Sequence, residues 1–185
     1  MVKLSLVLLL TTFGLSAYAQ DWNTARLSIL SGGNIPFYFN TLDKYNSGIE
    51  VTNGTVLGIN IADLPTDPPT PNSTLVGWSL EFNSYNGATD LQGSGANTLP
   101  LNTIQLEATN NIGLDPADAT YYGLKDLTVA GEVLMETTNA AHLNCDWTTH
   151  QVNITYQAGM ANGSLLGETP DYYVVEIEII LIPQF

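Results

Sequence analysis

His142, Cys145, Asp146 and His150 form the one cluster of metal-ligand residue types in this 185-residue chain. A zinc centre needs three or four N, S or O donors converging at about 2.0–2.3 Å, and this spacing matches no standard finger. His150 shares its parity with Val152 and Ile154, which puts it at the rim of a core. The cluster reads as structural, and neither a metal nor a cofactor is expected. Nucleophilic catalysis needs a Ser or Cys activated by an oriented base. Gly93-Ser94-Gly95 is not the Gly-x-Ser-x-Gly elbow, and the two histidines of the chain both stand near Cys145. Glu176 and Glu178, two apart on a strand, would lie about 7 Å from each other by strand rise. That separation suits a glycosidase pair, but a solvated sheet face explains it better. Asp63 with Asp67, and Asp115 with Asp118, offer oxygen ligands for Ca²⁺ without the twelve-residue loop pattern. They read as solubilising charge, and no enzyme is expected.

Aromatic rings carry the other candidate chemistry, stacking on sugar. Trp22, Trp78 and Trp147 stand with Tyr85, Tyr121 and Tyr122 as the available faces. Trp78 alternates with Leu80 and Phe82 and belongs to a core. Trp147 precedes a strand and Tyr121-Tyr122 fall in a loop, so these three are the candidate ligand platform.

Such residues need a scaffold, and composition bounds it. Eighteen Asp+Glu against four Lys+Arg give a formal charge of -14, while 44% of residues are hydrophobic and 12% charged. A chain so poor in bases cannot neutralise phosphates, which argues against nucleic acid and anionic lipid as partners. It is too apolar for an acidic disordered tail. Met1 to Ala19 combines Lys3, the apolar run Leu4 to Leu10 and the small-residue end Ala17-Tyr18-Ala19, the pattern of a secretory signal peptide cleaved after Ala19. Removing it deletes one of the few bases. Residues 20–185 then fit a single domain, and no later apolar run is long enough for a transmembrane helix. The expected location is the periplasm, the cell surface or the extracellular space. Cys145, the one cysteine, has no partner within the chain and reads as a small buried thiol.

Period-two segments dominate from residue 26 onward. Expected strands are Arg26 to Leu30, Ile35 to Phe39, Ile49 to Thr52, Thr55 to Ile61, Leu75 to Phe82, Thr103 to Ala108, Leu127 to Met135, His150 to Tyr156 and Tyr172 to Ile182. Asn53-Gly54 signals a type I′ hairpin turn. Ala130-Gly131 marks a bulge in its strand. Asp115-Pro116 opens at most one helical turn before Tyr122, and Asp63 to Pro71, with four prolines, is a stiff connector. The expected fold class is all-β: a single antiparallel, Ig-like β-sandwich of about eight or nine strands. A transmembrane barrel has only the C-terminal aromatic Phe185 and its alternating strand in its favour, because the earlier strands are too short.

Leu75-Val76-Gly77-Trp78-Ser79-Leu80-Glu81-Phe82 resembles the Trp-x-Leu strand of bacterial WxL-like and fimbrial-type surface domains, and Asn97 to Leu101 resembles the segment that follows it. The ending Gly167 to Ile177, with Tyr172-Tyr173 leading into alternation, is similar to the final strand of fimbrial and coat-like subunits. No second Trp-x-Leu follows, since the chain ends Ile180-Leu181-Ile182-Pro183, so peptidoglycan binding is not implied. The resemblance implies a non-enzymatic Ig-like surface or appendage subunit. Its expected partners are other protein subunits, copies of itself, or surface glycan. A sandwich leaves edge strands whose backbone groups a partner strand can satisfy. Gln20 to Leu30, with Leu27 and Ile29 alternating, is the candidate donated strand. The alternative function is a secreted carbohydrate-binding module using the aromatic platform.

Overall fold

Strand-forming alternation carries through most of the chain, whose computed structural model describes residues 24–62, 75–160 and 165–185. In chain order the strands are β1 (Thr24–Ser31), β2 (Ile49–Ala62), β3 (Gly77–Ser84), β4 (Asp90–Gln92), β5 (Thr98–Pro100), β6 (Ile104–Ile112), β7 (Thr120–Tyr121), β8 (Lys125–Asp126), β9 (Glu132–Thr137), β10 (Gln151–Ala158) and β11 (Ile177–Gln184). One layer is five-stranded in the order β1-β2-β10-β6-β8, the other four-stranded in the order β11-β3-β9-β7, and β4-β5 is a separate hairpin. The pairings are antiparallel. The fold is an all-β antiparallel sandwich. Two- and three-residue strands account for a count above the eight or nine expected, being too short to show a period.

Between the layers, Leu57, Ile59 and Ile61 of β2 and Val152 and Ile154 of β10 meet Trp78, Leu80 and Phe82 of β3. All are essentially inaccessible to water. Each such side chain contributes about 1.5–3 kcal/mol by leaving water, which is why alternation dictates the register. Among the described residues no helix is long and apolar enough to cross a membrane.

Several local expectations are corrected. Asn53-Gly54 is not a hairpin turn: β2 runs straight through it. A type I′ turn needs positive φ at both central residues, and only Asn53 takes it, at 50°. The site is a bulge, with Ile154 opposite Thr55 but Tyr156 opposite Val51, and the Asn53 N–H donates to Thr155 Oγ1 at 3.3 Å. The strand expected from Leu127 begins only at Glu132, after a turn at Gly131, φ 87°. A helix that the period-two reading missed, α1 (Leu42–Ser47), starts where Thr41 Oγ1 accepts from Lys44 N. It stops at Gly48, φ 76°, where a Cβ would come within 2.3 Å of Met160.

Two expected strands, Ile35 to Phe39 and the start of Tyr172 to Ile182, join neither sheet: 35–39 has no regular secondary structure, and 172–176 makes a single bridge, Val174 with Gln92. Their alternation is intact: Ile35, Phe37, Phe39, Tyr173 and Val175 turn inward while their neighbours are exposed. The missing element is a partner strand. The expected signal segment 1–19, Trp22, Asp63, Asp67 and the proline-rich connector lie outside the described residues.

Candidate functional site

Beyond the four-stranded layer, the inner face of the larger sheet continues, and irregular chain covers it instead of a second sheet. The result is a cleft of about 980 Å³. Leu57, Ile104 and Tyr156 from the larger sheet line it, together with Leu91 and Leu99 from the β4-β5 hairpin. Residues 34–39 and 168–177 form its other walls. Apolar pockets of this size are the usual place for non-covalent binding. Polar groups inside it are already paired: Tyr156 Oη lies 2.9 Å from Thr55 Oγ1, which also donates to the Gly32 carbonyl. Burial pushes the Tyr156 hydroxyl above its usual range, so it stays protonated.

Several backbone N–H groups along the walls have no partner among the described residues. The N–H groups of Asn34, Ile35, Phe37, Tyr38 and Phe39 find no partner among the described residues. On the other wall Val174 exchanges two bonds with Gln92, at 2.8 and 2.9 Å. In extended chain the flanking groups point the opposite way, and the Tyr173 and Val175 N–H groups have no partner among the described residues. The edge strands β1 and β11 lie beside each other at this side of the molecule, each with one neighbour in its sheet. The mouth is apolar and aromatic: Ile29 is 65% exposed, Tyr38 69% and Tyr172 76%. Tyr38, Tyr85 and Tyr172 were not singled out together by sequence, since tyrosines from three distant stretches show no spacing signal.

The rim is acidic. Glu168, Asp171 and Glu176 line the cleft. Asp171 accepts from Ser94 Oγ, from Asn97 Nδ2 at 3.0 Å and from Tyr172 N at 2.7 Å. These bonds hold its carboxyl far below the usual carboxylate range. Ser94 thus donates to a carboxylate whose lowered pKa makes it a poor base. The Tyr173 hydroxyl donates to the Thr169 carbonyl at 2.8 Å, and burial, Asp171 and Glu168 raise its pKa.

The candidate donated strand is occupied at home. Leu27 and Ile29 lie in β1, paired with Ile59 and Leu57 of the same chain. The aromatic platform is not one surface. Trp147 stands on the larger sheet, its Cβ 2.7 Å from where a Gly58 side chain would begin, beside Leu30. Tyr121 and Tyr122 belong to the other layer. The Tyr121 hydroxyl donates to the Leu114 carbonyl at 2.7 Å, and burial followed by Asp115 pushes its pKa up to about 12. Tyr122 donates to Glu136 and lies 5.8 Å from Lys125 Nζ.

The ligand-type cluster divides as well. His142 Nδ1 and His150 Nε2 are 2.8 Å apart, with Asp118 Oδ2 3.7 Å from His142 Nε2 and Thr149 Oγ1 3.0 Å from His150 Nδ1. Cys145 instead exchanges backbone bonds with Ile61, and burial raises its thiol pKa. Asp146 caps its own turn through Thr148. Among the described residues, no three His, Cys, Asp or Glu side chains converge on a metal position. Glu176 and Glu178 are exposed. No protein-family model matches the chain, and no curated protein matches it.

Proposed function

We propose that the chain is an exported, non-enzymatic structural or adhesive subunit of a bacterial surface or appendage that holds its partner by accepting an extended strand. One observation carries this reading: two walls of alternating chain line an apolar cleft, and several of their backbone N–H groups have no partner among the described residues. A guest strand would bury alternate side chains in the cleft and satisfy those groups along its edges. The guest is what the alternation of 35–39 and 172–176 lacks. The direction differs from the one the sequence suggests, because the chain acts here as acceptor while β1 stays in its own sheet.

The test is thermal unfolding of the leader-free chain with an uncharged eight-residue peptide alternating Val and Thr. At a ligand concentration of 100 Kd the native state gains about 2.7 kcal/mol. For a domain of this size that raises Tm by about 5–10 °C. The same peptide with two prolines placed centrally keeps its carbonyls but cannot hold the pleated conformation that aims them at the wall N–H groups, and it should leave Tm unchanged. No shift at millimolar peptide, or equal shifts from both peptides, would overturn the reading.

A further inference from the structure

The cleft has a sign as well as a shape. Its lining includes Glu168, Asp171 and Glu176 and contains no Lys, Arg or His. Glu168 and Glu176 are exposed, and neither carboxylate has a hydrogen-bond or ion-pair partner among the described residues. Asp171 is tied to Ser94 and Asn97, which fixes a charge at the same wall. The chain as a whole is at -14, so another copy of it would approach against a long-range repulsion. Of the lysines, Lys44 is not among the lining side chains although its Nζ donates to the carbonyl of Tyr38 in the 34–39 wall, and Lys125 pairs with Glu132.

Resting on the strand-acceptor reading, we infer that the guest is a cationic segment of a different protein: an extended strand with apolar residues at alternate positions and Lys or Arg at its polar, rim-facing positions. The apolar positions enter the cleft, and the basic ones meet Glu168, Asp171 and Glu176. Like charges at the same positions exclude acidic strands, including those of this chain's own copies, so the acidic rim selects against self-assembly. Charge complementarity of this kind acts on partner choice and association rate more than on total affinity.

Three peptides test this against the leader-free chain by isothermal titration or fluorescence anisotropy. They share one alternating Thr-Ile core and carry Lys-Lys, Ser-Ser or Glu-Glu at both ends. Each exposed ion pair contributes about 1.5- to 5-fold, so in 50 mM salt the Lys-ended peptide should bind about tenfold tighter than the Ser-ended one. The Glu-ended peptide should be the weakest. At 0.5 M salt the differences should shrink to about twofold, because screening then acts within a few ångströms. The double variant Glu168→Gln, Glu176→Gln should narrow the low-salt gap between the Lys-ended and Ser-ended peptides to about threefold. A Lys-ended peptide with a Gly-Ser core separates the rim from the general charge of the protein, and equal binding by it would overturn the inference. Equal affinity for all three ends, or a gap untouched by the double variant, would do the same. Failure of the Ser-ended peptide to bind removes the strand-acceptor reading itself, and the inference with it.

Discussion

Trp78 is the side chain on which the sandwich and its histidine pair both depend. It is fully buried on β3, and its indole N–H donates to the His142 carbonyl at 3.1 Å. That carbonyl belongs to the short turn Ala140–His142, whose histidine contacts His150 at the head of β10. Replacing Trp78 with Phe keeps a ring in the core but deletes the donor. A buried acceptor left without a partner costs about 1–3 kcal/mol, and the smaller ring adds a cavity cost to it. Trp78→Ala opens the whole site, and large-to-small changes of this type cost about 3–5 kcal/mol.

Urea unfolding followed by far-ultraviolet circular dichroism measures both variants against the parent. The expected order is parent, Trp78→Phe, Trp78→Ala, with the first step at least about 1 kcal/mol. The imidazole resonances of His142 and His150 report independently whether the turn has moved. A Trp78→Phe variant within about 0.5 kcal/mol of the parent, with those resonances in place, would refute the claim that this hydrogen bond holds the turn. A Trp78→Ala loss under about 1.5 kcal/mol would refute the two-layer core, because a water-filled or exposed site is the only way to lose so little.

Other outcomes follow from the same geometry. Gly58→Ala puts a Cβ 2.7 Å from Trp147 Cβ and 3.2 Å from a Leu30 methyl; overpacking of this kind costs about 1–3 kcal/mol against a gain of about 0.5–1 from removing a strand glycine. A fall in Tm with altered tryptophan emission is expected, and an unchanged or raised Tm would show that Trp147 does not sit there. Burial, then His142, lowers the His150 pKa below its ordinary 6.5, with Asp146 opposing. The unfolded chain therefore binds more protons there, and stability present above pH 6.5 is lost as pH falls toward the folded-state value. His150→Gln should flatten that part of the Tm profile between pH 7.5 and 5.5, and parallel profiles for variant and parent would contradict it.

Much of the sandwich was legible because its core strands obey a single rule. Trp78, Leu80 and Phe82, or Val152, Ile154 and Tyr156, alternate in sequence and turn to one face in space. Where a local signal competed with a long-range one, the local signal lost. Asn53-Gly54 is a strong turn signal for an isolated peptide, yet β10 offers β2 a continuous edge on both sides of it, and a bulge keeps that pairing. Strands of two or three residues, such as β7 and β8, are set by what lies beside them and have no pattern of their own. The aromatic platform was not legible for the same reason: facing positions on one element follow from spacing, but whether Trp147 and Tyr121 share a surface depends on how two layers stack. The histidine contact was half visible, since the residues cluster in sequence, but the turn that presses their rings together is held by Trp78, far away along the chain.

The cleft makes a different point about alternation. Period two states that a segment has an inside and an outside; it is silent on whether a neighbour completes the ladder. Residues 35–39 and 172–176 have the pattern of strands and the burial of strands, with Ile35, Phe37, Tyr173 and Val175 turned inward, yet no full ladder forms: Val174 and Glu176 bond to Gln92 and Tyr85, while the N–H groups of Ile35, Phe37, Tyr173 and Val175 have no partner among the described residues. An ordinary loop in such a place would be polar and would meet water with both faces. A guest that excluded water from those N–H groups without replacing their bonds would cost about 1–3 kcal/mol for each group it orphaned. If the walls accept a strand as proposed, they would for the same reason reject a compact apolar ligand of equal area. Selectivity for extended chain would then lie in the backbone of the cleft, and the acidic rim would add the choice among extended chains.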